Sequence, residues 1–317
     1  MSKNARRVKV DAPRLASDDA ALTAFKVIAA ALLAQMQANR QGVIAGRDPE
    51  YLHHMRVAVR RLRSLCAAHA DIMPRTTLQP FIAQLRWLAR ALGPARDADV
   101  FAIEIWPPLR EVLAGDPLLP ALDARWAALR QAAAGKASRA LATRRYQRFV
   151  REFSSRLIED ACWMNVSSRR RRILGGAAHD FAHQLIQHHD SKVRSHGHSL
   201  KRLRPMQLHA LRIQIKKLRY SVEAYGSLFE RTAVRDMLAH FSLLQDILGK
   251  LNDMRVAEQQ VATALARISG AGRATRPLRA AIAQWRKARA AALHRKLRAA
   301  WRAYRHARKF WKSAQAV

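Results

Sequence analysis

The sequence predicts an all-α protein assembled as two helical bundles related by an approximate two-fold pseudo-symmetry. Three observations carry that prediction. Apolar residues recur at helical spacing through most of the 317 residues, 50% of which are hydrophobic. Alternating runs of β-branched and aromatic residues are sparse. A stretch of the first half also returns in the second at constant offset. Phe25 pairs with Phe181, Leu52 with Leu208, His53 with His209, Arg56 with Arg212, Leu62 with Leu218, Arg63 with Arg219, Leu92 with Leu248, Gly93 with Gly249, Asp97 with Asp253 and Val100 with Val256, each 156 positions apart. An ungapped offset held over so long a span is the mark of a duplicated helical unit.

The elements follow in order. Leu22 to about Arg40 is rich in Ala and Leu and reads as the first helix. Asp48 before Pro49 suits an N-cap followed by Pro in the first turn, opening a second helix that runs to about His69. A third, Thr77 to Leu92, is expected to end at Gly93 and Pro94 with the glycine as C-cap. A short helical piece follows from Ala95 and is closed by Pro107 and Pro108. After the turn at Gly115, Asp116 and Pro117, Leu118 to about Asp160 reads as one extended helix.

These elements place the first repeat at 21–162, behind a basic arm at 1–20. Residues 163–176, with four arginines from Arg169 to Arg172 and paired glycines, have the composition of a linker with a solvated charged face. The second repeat, 177–317, carries ISGAGRATRP from Ile268 to Pro277 as its long turn and ends in a basic helix reaching about Trp311.

Against 58 Lys plus Arg stand 23 Asp plus Glu, a formal net charge of +35. Solubility requires far less, and such a field collects polyanions: nucleic acid, inorganic polyphosphate, an anionic membrane surface or an acidic protein. Cys66 and Cys162 are the only cysteines and lie in apolar helical contexts, so a reducing compartment is expected instead of a disulfide framework. The N-terminus lacks the apolar core of a secretory signal, and no run of about 18 apolar residues is apparent. The expectation is a soluble cytoplasmic chain without membrane insertion.

The charge is organised in two copies of one motif, LHHMRVAVRRLR from Leu52 to Arg63 and LHALRIQIKKLR from Leu208 to Arg219. In each, a His and three cations fall at i, i+3, i+7 and i+10, one stripe of a helix: His53, Arg56, Arg60, Arg63 and His209, Arg212, Lys216, Arg219. An apolar row beside each stripe seats the helix on a core: Leu52, Met55, Val59, Leu62 and Leu208, Leu211, Ile215, Leu218. Neither window contains an Asp or Glu. The stripes are therefore expected to face a common external anion, and the planar Arg fork suits phosphate best. Arg61 and Lys217 lie on a different face.

The repeated histidines are read as hydrogen-bond donors, because the local helix supplies no converging metal ligands. Asp97 and Asp253 are placed to cap the next helix or to steer an arginine. Asp97, Asp99 and Glu104 hint at Mg²⁺, but the second repeat keeps only Asp253, so no metal is expected. HDFAH at His179 to His183 lacks the glutamate of a zincin motif, and no phosphate-binding Gly loop or nucleophile elbow occurs, so no cofactor or catalytic residue is assigned. The aromatic residues do not interleave with the stripes, Tyr220 excepted, which makes nucleic acid the alternative partner.

LHHMRVAVRRLRS with LGPARDADV, then LHALRIQIKKLRYSVEAY with LQDILGKLND, resembles the two halves of the CHAD family, the conserved histidine α-helical domain, over about Leu22 to Trp311. The resemblance implies two four-helix bundles packed about a pseudo-two-fold, together one domain. It further implies non-catalytic binding of inorganic polyphosphate in a basic groove or cavity, and association with polyphosphate granules. Matched position by position, the implied binding residues are His53, Arg56, Arg60, Arg61, Arg63, His209, Arg212, Lys216, Lys217 and Arg219. LNDMR in place of a second RD-x-D departs from the pattern, and no E-x-E-x-K signature of a joined triphosphate tunnel enzyme is present.

Overall fold

A computed structural model describes residues 13–46, 48–266 and 275–312. Residues 1–12 of the basic arm and most of the ISGAGRATRP turn lie outside the described residues. The chain is all-α, and among the described residues no strand forms. The helices are α1 (Ala21–Ile44), α2 (Pro49–Ala68), α3 (Arg75–Val100), a π-helical turn (Phe101–Ile105), α4 (Trp106–Val112), α5 (Leu119–Ala142), α6 (Arg144–Ile158), α7 (Ala161–Met164), α8 (Ser168–Gly175), α9 (Ala178–His196), α10 (Pro205–Tyr225), α11 (Arg231–Ala266) and α12 (Thr275–His306).

Local chemistry accounts for several boundaries. Asp48 caps α2, its carboxylate accepting from the Glu50 N–H at 2.8 Å. The long helix expected from Leu118 to Asp160 is two helices. Thr143 breaks it with extended backbone, and its hydroxyl accepts from the Tyr146 N–H to cap α6. Gly93 and Pro94 do not end α3, which runs on to Val100. A proline inside a helix costs about 3 kcal/mol. Leu85, Leu88 and Leu92 are all fully buried on α3. At roughly 1.5–3 kcal/mol for each such side chain, packing outweighs that cost. Pro107 and Pro108 open α4 instead of closing a helix, because a proline in the first turn forfeits no hydrogen bond.

The segment 163–176 is more ordered than its composition suggests. Trp163 and Leu174 are buried in the core, while Arg169 to Arg172 stay exposed along α8. The last residues of the arm are also held: Leu15 is buried, and its N–H donates to the Ser227 hydroxyl at 3.1 Å. Among the described residues one stretch is apolar enough to cross a membrane by length and composition, contrary to the sequence expectation. It is α1, most of whose apolar residues are packed inside the protein.

In the first half α2 packs between α1 and α3; in the second α10 packs between α9 and α11; and α2 touches α10. The starts of α1 and α9 are joined reciprocally. Ala21 N–H donates to Gly176 O at 2.9 Å and Ala178 N–H to Asp19 O at 2.8 Å. The main apolar core is continuous across both halves, from Phe25, Met55, Leu62 and Phe149 to Ile215, Leu218, Phe241 and Trp311. A second cluster, which shares Leu251 and Leu293 with the first, joins the halves again, with Phe101, Trp106, Leu109 and Leu122 against Met254, Val261, Ile282 and Trp285. The space left between the two clusters contains the site.

Candidate functional site

The apolar rows predicted for α2 and α10 are what aim their cations. Leu52, Met55, Val59 and Leu62 are buried, as are Leu211, Ile215 and Leu218, with Leu208 partly covered. Each helix thereby presents its basic face to the gap between the halves. That gap is a cleft of about 730 Å³. One wall carries His53, Arg56, Arg60, Arg61 and Arg96, and the other Arg212, Lys216, Arg219 and Lys250. Phe101 and Ile105 of the π-helical turn bound it on the side of the second apolar cluster.

The cleft is not free of acids, as the motif windows alone suggested. Eight Lys and Arg in its lining stand against five carboxylates, Asp97, Glu104, Glu223, Asp246 and Asp253. Glu223, one turn beyond the second motif, takes Arg219 Nε at 2.7 Å and reaches across to Arg61 Nε at 2.9 Å. Asp97 lies 3.7 Å from Arg56, so it steers an arginine; it cannot cap a helix because α3 is continuous there. Asp99 is occupied by Arg130 at 2.7 Å. Among the described residues no three His, Cys, Asp or Glu side chains converge as a metal site would need.

The centre of the cleft differs from its ends. Arg60, Arg212 and Lys216 form no ion pair among the described residues, and Arg60 Nε and Arg212 Nε are buried without a hydrogen-bond partner. Burial pushes Lys216 down to about 7, and the charges of Arg212, Arg60 and Arg56 push the same way, so these four cations share one small region. Burial and the neighbouring Arg96 likewise hold His53 below the ordinary imidazole range. On the acid side, burial raises the Asp253 carboxyl. Half-buried cations without a counter-charge are costly. An arrangement that keeps three of them together favours whatever anion enters.

Gly93 and Gly249 take on a different role from the expected helix cap. Both lie inside helices, on α3 and α11. A Cβ at 93 would stand 3.3 Å from Arg56 Nη1, and one at 249 would stand 3.9 Å from Arg212 Nη2. The two counterpart arginines thus lie across counterpart glycines. A small residue there lets each guanidinium cross the neighbouring helix into the cleft.

Seven of the ten sequence-assigned residues line the cleft: His53, Arg56, Arg60, Arg61, Arg212, Lys216 and Arg219. Three do not. Arg63 and Lys217 are exposed outside it. His209 faces a separate small pocket with Arg255, Arg286 and His294, its Nδ1 buried without a partner. The cleft takes up opposite ends of the two motifs: His53 enters it while Arg63 does not, and Arg219 enters it while His209 does not. Arg96, Lys250 and Gln245 also line the cleft without a sequence assignment, and Tyr220, the aromatic residue noted beside the second motif, joins them. A signal for Arg96 existed, since it lies on the same face as Gly93 and Val100 once α3 is allowed to continue past Pro94.

The comparisons with known proteins agree with this architecture. The CHAD domain family model matches residues 27–262. The fold is similar to that of the CHAD domain from the plant Ricinus communis, with a TM-score of 0.78 and 27% identity, covering 94% of this chain and 97% of that one. PptA from Streptomyces chartreusis shares the fold at a TM-score of 0.67 and 12% identity, over 89% of this chain and 98% of that one. No curated protein matches at a significant level. A match over most of the length, with the same helical architecture, means that the chain belongs to the CHAD domain family.

Proposed function

We propose that the chain binds inorganic polyphosphate in the cleft between α2 and α10, without turning it over, and that this binding holds it at polyphosphate granules in the cytoplasm. The observation that supports this most is the convergence of Arg56, Arg60, Arg212 and Lys216 on one region with three of them unpaired. Polyphosphate is thin and flexible and carries about one negative charge per phosphate, so it fits a cleft bounded by apolar contacts that would exclude a duplex. Guanidinium forks match its oxygens bidentately. The granule and cytoplasmic parts of the reading rest on the family's association with polyphosphate.

The test is a titration of wild type and of Arg60→Glu with Lys216→Glu against long-chain polyphosphate, single-stranded RNA and DNA at two salt concentrations. Each charge-assisted hydrogen bond contributes roughly 1.5–3 kcal/mol, so losing two and reversing their charges weakens binding by at least about a hundredfold. Helical content stays as it was. Unchanged affinity sinks the reading, and tight nucleic-acid binding that polyphosphate cannot displace replaces it with a nucleic-acid clamp. Orthophosphate release on incubation with polyphosphate and Mg²⁺ would overturn the non-catalytic part. In cells, a tagged wild type is expected at granules and the double variant spread evenly.

A further inference from the structure

A second basic cavity, of about 470 Å³, lies between the turn that joins α9 to α10 and the last turns of α12. Arg202 forms one wall with His198 and Ser199. Arg298, Arg302 and Arg305 form the other, with Leu200 and Trp301 completing the lining. The three α12 arginines stand at i, i+4 and i+7 and therefore share one helix face. No carboxylate lines this cavity, and none of its four arginines has an ion pair among the described residues. In that respect it differs from the main cleft, where Glu223 and Asp97 occupy three of the arginines.

The cavity is built on a fixed platform. At Gly197 a Cβ would fall 2.2 Å from the Trp301 ring, so the chain passes directly over the indole and only glycine allows that approach. One turn earlier, Arg194 donates to the Arg305 carbonyl at 3.2 Å, and the fully buried Asp190 holds Arg194 at 2.9 Å. Asp190 also accepts from Tyr304 and pairs with Lys309 at 2.9 Å. This network clamps the end of α9 to the end of α12 and sets the two arginine walls opposite each other. A solubilising face needs neither the convergence nor the clamp.

We propose that this cavity is a second, separate site for condensed phosphate, and that the protein bridges two polyphosphate chains or two stretches of one. Four guanidinium forks with imidazole and hydroxyl donors beside them suit a short, multiply charged phosphate segment. The ligand class rests on the function proposed for the cleft; the position of the site does not. Two sites on one rigid body also convert moderate affinities into tight retention on a long polymer.

The experiment is a calorimetric titration with tripolyphosphate, together with light scattering on adding long-chain polyphosphate. Wild type is expected to bind two oligophosphates per chain and to give scattering aggregates. Arg302→Glu with Arg305→Glu, both exposed positions that leave the core untouched, is expected to bind one and to lose the scattering. Arg60→Glu with Lys216→Glu is expected to retain the one bound at the second cavity. A single site in wild type that disappears with Arg60→Glu and Lys216→Glu overturns the second site and leaves the cleft reading standing. Unchanged stoichiometry in the Arg302 and Arg305 variant overturns it as well. Two sites that survive Arg60→Glu with Lys216→Glu overturn the cleft reading instead.

Discussion

Tyr225 Oη lies 3.0 Å from His69 Nε2, and the two residues are 156 positions apart, the same offset that relates the two basic motifs. Both are fully buried at the C-terminal ends of α10 and α2. Phe25 and Phe181, another pair at that offset, pack against the imidazole with ring centroids 4.8 and 4.6 Å away. His69 Nδ1 lies 2.9 Å from the Leu65 carbonyl, which can only accept. Nδ1 therefore carries the proton, and Nε2 accepts from the tyrosine hydroxyl. The two cation-bearing helices are thus tied together by one oriented hydrogen bond in an aromatic box.

Acid should loosen that junction. Burial pushes the His69 imidazole down to about 4, whereas the unfolded chain takes up the proton near 6.5. A depressed histidine contributes stability that is full above 6.5 and is lost as pH falls toward 4, by about 1.4 kcal/mol per unit. His189, also pushed down to about 4 by burial, adds a second increment in the same window. Denaturant midpoints at pH 7.5 and 4.5 check this, and His69→Leu is expected to flatten the dependence by roughly half. Tyr225→Phe at pH 7.5 leaves Nε2 buried without a donor and should cost about 1–3 kcal/mol.

Glu223 joins the halves on the cleft side of the same two helices, and it does so with two arginines that an anion would otherwise use. Its counterpart at the repeat offset is Ala67, so the repeat does not duplicate this bridge. On the proposed function, an incoming phosphate has to displace this internal anion. Glu223→Gln is therefore expected to tighten polyphosphate binding by about tenfold, near 1.4 kcal/mol, while lowering fold stability. Weaker binding in that variant would mean that Glu223 positions Arg61 and Arg219 and does not compete for them.

Much of this was legible in the sequence, and the failures have physical causes. The apolar rows of α2 and α10 could be read because helical periodicity reports burial directly, and Asp48 because a cap needs only local atoms. Arg63 and His209 lie outside the cleft, and Arg61 lines it from another face, because whether a residue faces a groove depends on where the neighbouring helices end, which periodicity does not encode. The Arg61 to Glu223 pair spans 162 positions and left no local trace. His69 was passed over since one histidine at a helix end looks like any other until its counterpart, Tyr225, is brought against it.

The two counterpart glycines should respond differently to alanine. In a helix interior Gly→Ala stabilises by roughly 0.5–1 kcal/mol. At Gly249 the new methyl would meet Arg212 at 3.9 Å, an ordinary contact, so Gly249→Ala is expected to raise the denaturation midpoint and leave binding unchanged. At Gly93 the contact with Arg56 is 3.3 Å. The guanidinium is the far end of a flexible side chain and will yield, so stability still rises. Its displacement from the cleft should weaken polyphosphate binding several-fold. Equal binding losses in both variants would refute the distinction.

Lys216 should make the proposed polyphosphate binding sensitive to pH near neutrality. Burial, with Arg212 and Arg60 beside it, brings its ammonium down to about 7 from an ordinary value of 10.5, so a large fraction is uncharged in the free protein at pH 7. A polyanion binds the charged form and returns the proton's affinity, so binding should take up a proton and weaken as pH rises from 7 to 9. The limit is tenfold per unit, reached only where the free site is neutral and the occupied one charged. His53 is held below the ordinary imidazole value of 6.5, so its proton has no part in this window. Lys216→Arg replaces the titrating group with one that stays charged. Polyphosphate affinity in that variant should be nearly flat from pH 7 to 9. A slope equal to that of wild type would place the titrating group elsewhere.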